Sequence, residues 1–150
     1  MSGAQLLAVT MNDGVCPVIE PIDERVKQKM REGYVDEQAR DLTHALEICT
    51  RAKADCTGWS VGLTGNAATV LPQLLERGSR ADIVTDQTSA HDLMDYLPEG
   101  DINAVLALRE ANTQDFKKQA LASIVKHVEA ILEMQQRGAI AVDHGNNLRG

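Results

Sequence analysis

Aromatic side chains are scarce here: the 150 residues include one Trp, two Tyr and one Phe. A core must then be built from Leu, Ile, Val and Ala, and platforms for stacking nucleobases are not expected. No apolar run approaches the roughly 18 residues that a membrane-spanning helix needs. No basic cluster offsets the formal net charge of −7, which argues against a nucleic-acid or anionic-membrane partner. The three cysteines, Cys16, Cys49 and Cys56, are odd in number and lack C-x-x-C metal spacing. With no secretory leader in view, a reducing cytosol is the expected compartment, and each thiol reads as a small buried hydrophobe. There is no H-E-x-x-H, no Walker loop, no Ser-His-Asp spacing, and no acid pair that stands out for glycoside chemistry. Internal repeats and low-complexity tracts are missing as well.

What is present reads as one domain over residues 1–150, with 43% hydrophobic and 25% charged residues. A chain of this length buries roughly 70% of its unfolded surface and needs no metal or disulfide staple. Residues 5–11 suit a short helix after Gly3. The turn Asn12-Asp13-Gly14 leads into a strand over 15–20, closed by Pro21. A polar helix over 22–31 ends at Gly33. Asp36 is the expected cap of a longer helix whose apolar positions run Ala39, Leu42, Ala45, Leu46, Cys49 and Ala52. A second strand over 60–63 turns at Gly65-Asn66 into a helix reaching Gly78, with Pro72 predicting a kink or a late start. A third strand spans 81–85. A long helix over 114–137 carries Phe116, Ala120, Leu121, Ile124, Val125, Val128, Ile131 and Leu132 on its apolar stripe, and a last strand covers 139–142.

Strands alternating with helices predict an α/β fold: a Rossmann-like, doubly wound, mostly parallel sheet with helices on both faces. The opening Gly-containing turn and the closing Gly/Asn-rich loop suggest a domain excised from a larger chain.

Residues 82–91 carry the strongest chemical signal. A β-branched strand runs into Gln87, Thr88, Ser89, Ala90 and His91, with no Gly or Pro to turn them away. Amide, hydroxyl and imidazole groups then gather at the strand end, where α/β sheets bind ligands. Core packing does not ask for such a run, although His91 also suits a cap. Gly62-Leu63-Thr64-Gly65-Asn66-Ala67-Ala68 is strand, tight turn and helix start, with small residues that let backbone approach a ligand. Capping alone accounts for Asn66 equally well. Glu20 ends the first strand at the place of the acid that bonds a ribose hydroxyl, or is a solvated strand-end carboxylate. Arg25, one turn into the following helix, flanks the adenosine or pairs with a surface acid. Met1-Ser2-Gly3-Ala4-Gln5 suits the tail of a phosphate-binding loop, with an ordinary N-terminal turn the plainer reading. His44 and His127 fall on helices and are expected in solvent. Spacing does not rank His144.

These motifs, with Val70-Leu71-Pro72, Asp82 to Asp92, Tyr96-Leu97-Pro98 and Gly145-Asn146-Asn147 before Arg149, closely resemble those of the urocanase (urocanate hydratase) family. The likeness runs in order through almost the whole chain, and Asp86-Gln87-Thr88-Ser89-Ala90-His91-Asp92 is its most specific string. It implies a cytoplasmic, homodimeric hydro-lyase of histidine degradation. Such an enzyme adds water to urocanate, giving 4-imidazolone-5-propanoate, with tightly held NAD+ serving as electrophile. It further implies NAD contacts at Glu20, Arg25, Asn66, Ala67, Gln87, Thr88, Ser89, Ala90, His91, Tyr96 and Leu97. The family's catalytic cysteine lies outside this stretch, so no catalytic residue is assigned and the isolated domain is expected to be inactive.

Leu6 replaces a Pro of the family pattern. Three further departures favour a second reading, a stand-alone nucleotide-binding or regulatory module: Ser2 replaces a loop Gly, His144 a Tyr, and the 93–95 link is one residue short. A dehydrogenase is the weakest alternative, because neither a substrate domain nor a catalytic dyad is seen.

Overall fold

A computed structural model describes residues 3–88 and 92–143. The chain divides into two compact units, Met1–Gly65 and Asn66–Gly150.

In the first unit, α1 (Gly3–Thr10), β1 (Val15–Glu20), α2 (Asp23–Arg31), β2 (Glu37–Ala39), α3 (Leu42–Ala54) and β3 (Trp59–Thr64) follow one another. The sheet order is β1-β3-β2 and both pairings are parallel, with Glu20 opposite Thr64 and Ala39 opposite Leu63. A parallel strand covered by helices reads as a continuous apolar run, and β3 accordingly buries Ser60, Val61, Gly62 and Leu63 in succession. Gly62 is needed for packing: a Cβ there would stand 2.5 Å from Val26 Cγ1 of α2. Its small size therefore brings a helix onto the sheet, not a ligand onto the backbone.

The expected helix from Asp36 begins later. Asp36 instead accepts from the Ser60 N–H at 2.8 Å and from Ser60 Oγ at 2.6 Å, which ties the start of β2 to β3. Ala39 lies within β2, and Asp41 caps α3 by accepting from the His44 N–H at 2.8 Å. Three residues are too few to show strand periodicity, so β2 was hidden inside the helical pattern that follows it.

The second unit contains α4 (Ala67–Glu76), β4 (Ile83–Asp86), α5 (Ile102–Ala111), α6 (Thr113–Gln136) and β5 (Ile140–Asp143). Strands β4 and β5 pair in parallel, Ile83 with Ile140 and Asp86 with Asp143. All strand pairs among the described residues are parallel, in keeping with the expected α/β class. Helix α4 starts directly after its Asn66 cap and runs through Pro72, so the start is not delayed. Helix α5 was not anticipated. Asp101 caps it by accepting from the Asn103 and Ala104 N–H groups at 3.1 and 3.0 Å.

Helix α6 buries Phe116 and Ala120 of its expected stripe but turns the rest of its inner face otherwise. Its buried row is Phe116, Ala120, Ser123, His127, Ala130 and Met134. Leu121, Val125, Val128 and Leu132 are exposed, Leu121 to 53%. Both rows keep the 3–4 spacing of a helix face, so periodicity does not choose between them. The interior partners of Ser123 and His127 do. Phe116 and Ala120 complete a cluster with Tyr96 and Val105, flanked by Met94, Leu97, Leu108 and Ile124.

Candidate functional site

The candidate residues fall into two groups, one in each unit. In the first, the C-terminal strand ends of the β1-β3-β2 sheet gather polar side chains. Glu20, the last residue of β1, is only 4% exposed. Its Oε1 accepts from the Ile22 N–H at 3.2 Å and lies 3.6 Å from Arg25 Nη1, while its carbonyl accepts from the Gly65 N–H at 3.0 Å. Glu20 and Arg25 are thus brought together, with the carboxylate sheltered and the guanidinium exposed.

Beside them is a knot that the sequence did not announce. Asp23 Oδ1 accepts from Gln38 Nε2 at 2.7 Å and Thr64 Oγ1 at 2.8 Å, and its Oδ2 is 2.6 Å from Lys27 Nζ. The Lys27 hydrogen bond, then those from Thr64 and Gln38, lower the Asp23 carboxyl to about 2. These residues join α2, β2 and β3, so only strand pairing could have revealed the cluster.

Gly3 opens α1 and is buried, and a Cβ on it would stand 2.5 Å from the Tyr34 ring. The contact gives Gly3 a packing reason independent of any phosphate. Met1 and Ser2, the rest of the expected loop tail, lie outside the described residues.

In the second unit, Asn66 caps α4 through Oδ1, which accepts from the Ala68 N–H at 2.9 Å. Its Nδ2 donates to the Leu97 carbonyl at 2.8 Å. Two motifs distant in sequence, Asn66-Ala67 and Tyr96-Leu97, are joined by this bond. Asp86 ends β4 and holds the following turn, accepting from the Thr88 N–H at 2.8 Å and Thr88 Oγ1 at 2.9 Å. Gln87 and Thr88 are half-buried there. Ser89, Ala90 and His91 lie outside the described residues, as does His144.

Tyr96 points inward and is 4% exposed, with its hydroxyl 3.3 Å from Nδ1 of His127. His127, expected in solvent, is 5% exposed. Burial pushes the Tyr96 phenol above its usual range, aided by Asp86 and Glu99, so it stays protonated. Burial lowers His127, and Asp86 opposes that shift only in part. A neutral imidazole accepting from a neutral phenol satisfies both shifts. The Glu99 N–H donates to Ser123 Oγ at 3.0 Å, and the Glu99 carboxylate pairs with Lys126. Residues 96–99 therefore form a strap along α6, held at both ends.

A shallow groove of about 590 Å³ lies between α4 and α6. The charged residues of its lining, Glu76, Glu99, Glu129 and Glu133 with Lys126, are mostly acidic and suit no phosphate. Among the described residues no His/Cys/Asp/Glu cluster could hold a metal, and no helix is long and apolar enough to cross a membrane. Burial, then Cys49, raises the Cys16 thiol to about 11, and burial also raises Cys49. Neither is a ready nucleophile at neutral pH.

The first unit thus offers a sheltered strand-end acid beside an Arg, and the second a capped helix start bonded to a fixed strap. A sequence model described as the urocanase Rossmann-like domain matches residues 1–150. With its parallel strands and alternating helices, the chain belongs to the urocanase family, as its Rossmann-like domain.

Proposed function

We propose that this chain holds NAD+ for a urocanate hydratase, the hydro-lyase that adds water to urocanate to give 4-imidazolone-5-propanoate in histidine degradation. The observation that carries this reading most directly is the Asn66–Leu97 hydrogen bond, which joins two of the family's cofactor motifs at the start of α4. When bound, NAD+ supplies an electrophilic ring that no side chain provides. Glu20 would accept from the ribose hydroxyls, with Arg25 beside it. Its negative charge favours NAD+ over a 2′-phosphorylated dinucleotide. Ala67 presents little side chain at the first turn of α4, so backbone stays accessible. The Tyr96 hydroxyl and the Leu97 carbonyl are committed within the protein. The Tyr96 N–H is committed as well, to the Asp92 carbonyl at 3.3 Å, so contact there would run through the Leu97 N–H or side chain. Gln87, Thr88, Ser89, Ala90 and His91 would supply polar groups after β4.

Under the same reading the domain works within a larger, homodimeric cytoplasmic enzyme whose reacting cysteine lies elsewhere, and it has no activity alone. Calorimetric titration with NAD+ and NADP+ tests it: saturable NAD+ binding, weaker NADP+ binding, and loss of that preference in Glu20→Ala are expected. Equal binding of both dinucleotides by the unaltered chain would refute the role given to Glu20. Sustained loss of urocanate absorbance on adding NAD+ to this polypeptide would refute the statement that it is inactive alone.

A further inference from the structure

A helix buries polar side chains only where partners repay the lost water. On α6 the choice is unusual, because a second row at equal spacing, Leu121, Val125, Val128 and Leu132, is apolar and remains outside. The helix instead turns Ser123 and His127 inward. Both meet the strap: Ser123 Oγ receives the Glu99 N–H, and His127 Nδ1 lies 3.3 Å from the Tyr96 hydroxyl. Midway between these anchors, the Leu97 carbonyl receives Asn66 Nδ2. Three hydrogen bonds thus fix four residues, and one of the three sets the amide plane of Asn66.

We propose that His127 is a positioning residue for the cofactor site, holding Tyr96 from within α6 and thereby fixing Leu97 and the Asn66 amide where a dinucleotide is received. The proposal rests on the NAD reading above for its functional half. Its structural half stands on the strap alone. His127 touches no ligand itself. It acts through the Tyr96 hydroxyl, and needs an acceptor at the Nδ1 position and no charge.

The test combines NAD+ calorimetry with hydrogen exchange at the Glu99 backbone amide, on the unaltered chain and on His127→Ala, His127→Asn, Tyr96→Phe and the His127→Ala/Tyr96→Phe pair. His127→Ala should weaken NAD+ binding about tenfold, the scale of one buried hydrogen bond lost. It should also speed exchange at Glu99. His127→Asn places an amide oxygen near the Nδ1 position and should restore affinity to within about threefold. Tyr96→Phe keeps the ring in its cluster and should match His127→Ala, and the pair should be no worse than either single change. Tyr96→Phe also carries the test should His127→Ala fail to fold. Additive losses, or His127→Ala binding NAD+ as tightly as the unaltered chain, would overturn the proposal. If the unaltered chain bound no NAD+, the cofactor reading would fall, and the exchange rates would still decide whether His127 holds the strap.

Discussion

The two candidate groups handle polar side chains in opposite ways. The Asp23 knot in the first unit is charged and open to water: Lys27 faces Asp23 with both side chains about half exposed. The Tyr96–His127 pair in the second unit is neutral and closed, with both residues buried. In water an ion pair is screened and contributes little, so the knot is held by its number of bonds. In the interior a single neutral hydrogen bond matters more, since breaking it strands two desolvated groups. Adaptable charge lies at the strand ends of the first unit, and a stiff neutral fastening ties a loop to α6 in the second.

The contrast can be broken hardest at the packing under the strap. Phe116→Ala removes a fully buried ring that supports Tyr96 and should cost about 3–5 kcal/mol in denaturant unfolding. Leu121→Ala, one helix face away and exposed, should change stability by no more than about 0.5 kcal/mol. Equal costs would mean that α6 buries the other face.

A smaller effect separates the two groups by pH. The folded His127 sits below the ordinary 6.5. Between its folded value and 6.5 the unfolded chain therefore binds more protons, and stability must fall as pH drops through that window. His127→Asn should flatten this part of the profile, as read from unfolding midpoints at stepped pH. Persistence of the slope in that variant would assign it to another group.

The smallest effect belongs to Asp23. Its carboxyl is lowered from 3.8 to about 2, so its contribution is complete above 3.8 and disappears as pH falls toward 2. Asp23→Asn should remove that acid-limb slope, and added salt should shrink it in the unaltered chain. A slope unmoved by salt would show that the knot is less open than its exposure indicates.

Much of the fold was legible in the residues. The first strand over 15–20 was read with its observed bounds because Asn12-Asp13-Gly14 and Pro21 punctuate both ends. Asn66 was legible as a helix cap because amide side chains accept from the first free N–H groups. The short β2 strand was not, since its identity lies in pairing with β3 and in the Asp36–Ser60 bonds. Helix α5 was passed over because it buries only Val105 and so has little amphipathic signal.

The candidate site divides along the same line. Glu20 and Arg25 were visible because an acid at a strand end and a base one turn later are local facts. Tyr96 and Leu97 were visible only as motif letters, and their committed hydroxyl and carbonyl were not. His127 was misread, because a histidine on a helix with an apolar row beside it gives no sign of a buried phenol that lies 31 positions away.

Order, type and punctuation of most of the elements, and with them the family, were written in local propensity and motif, which act over a few residues along the chain. Which row of α6 faces inward, why Gly62 and Gly3 lack side chains, and what Tyr96 and Asn66 hold were decided in three dimensions. Close packing and the satisfaction of buried polar groups depend on partners that the chain brings together only when it folds.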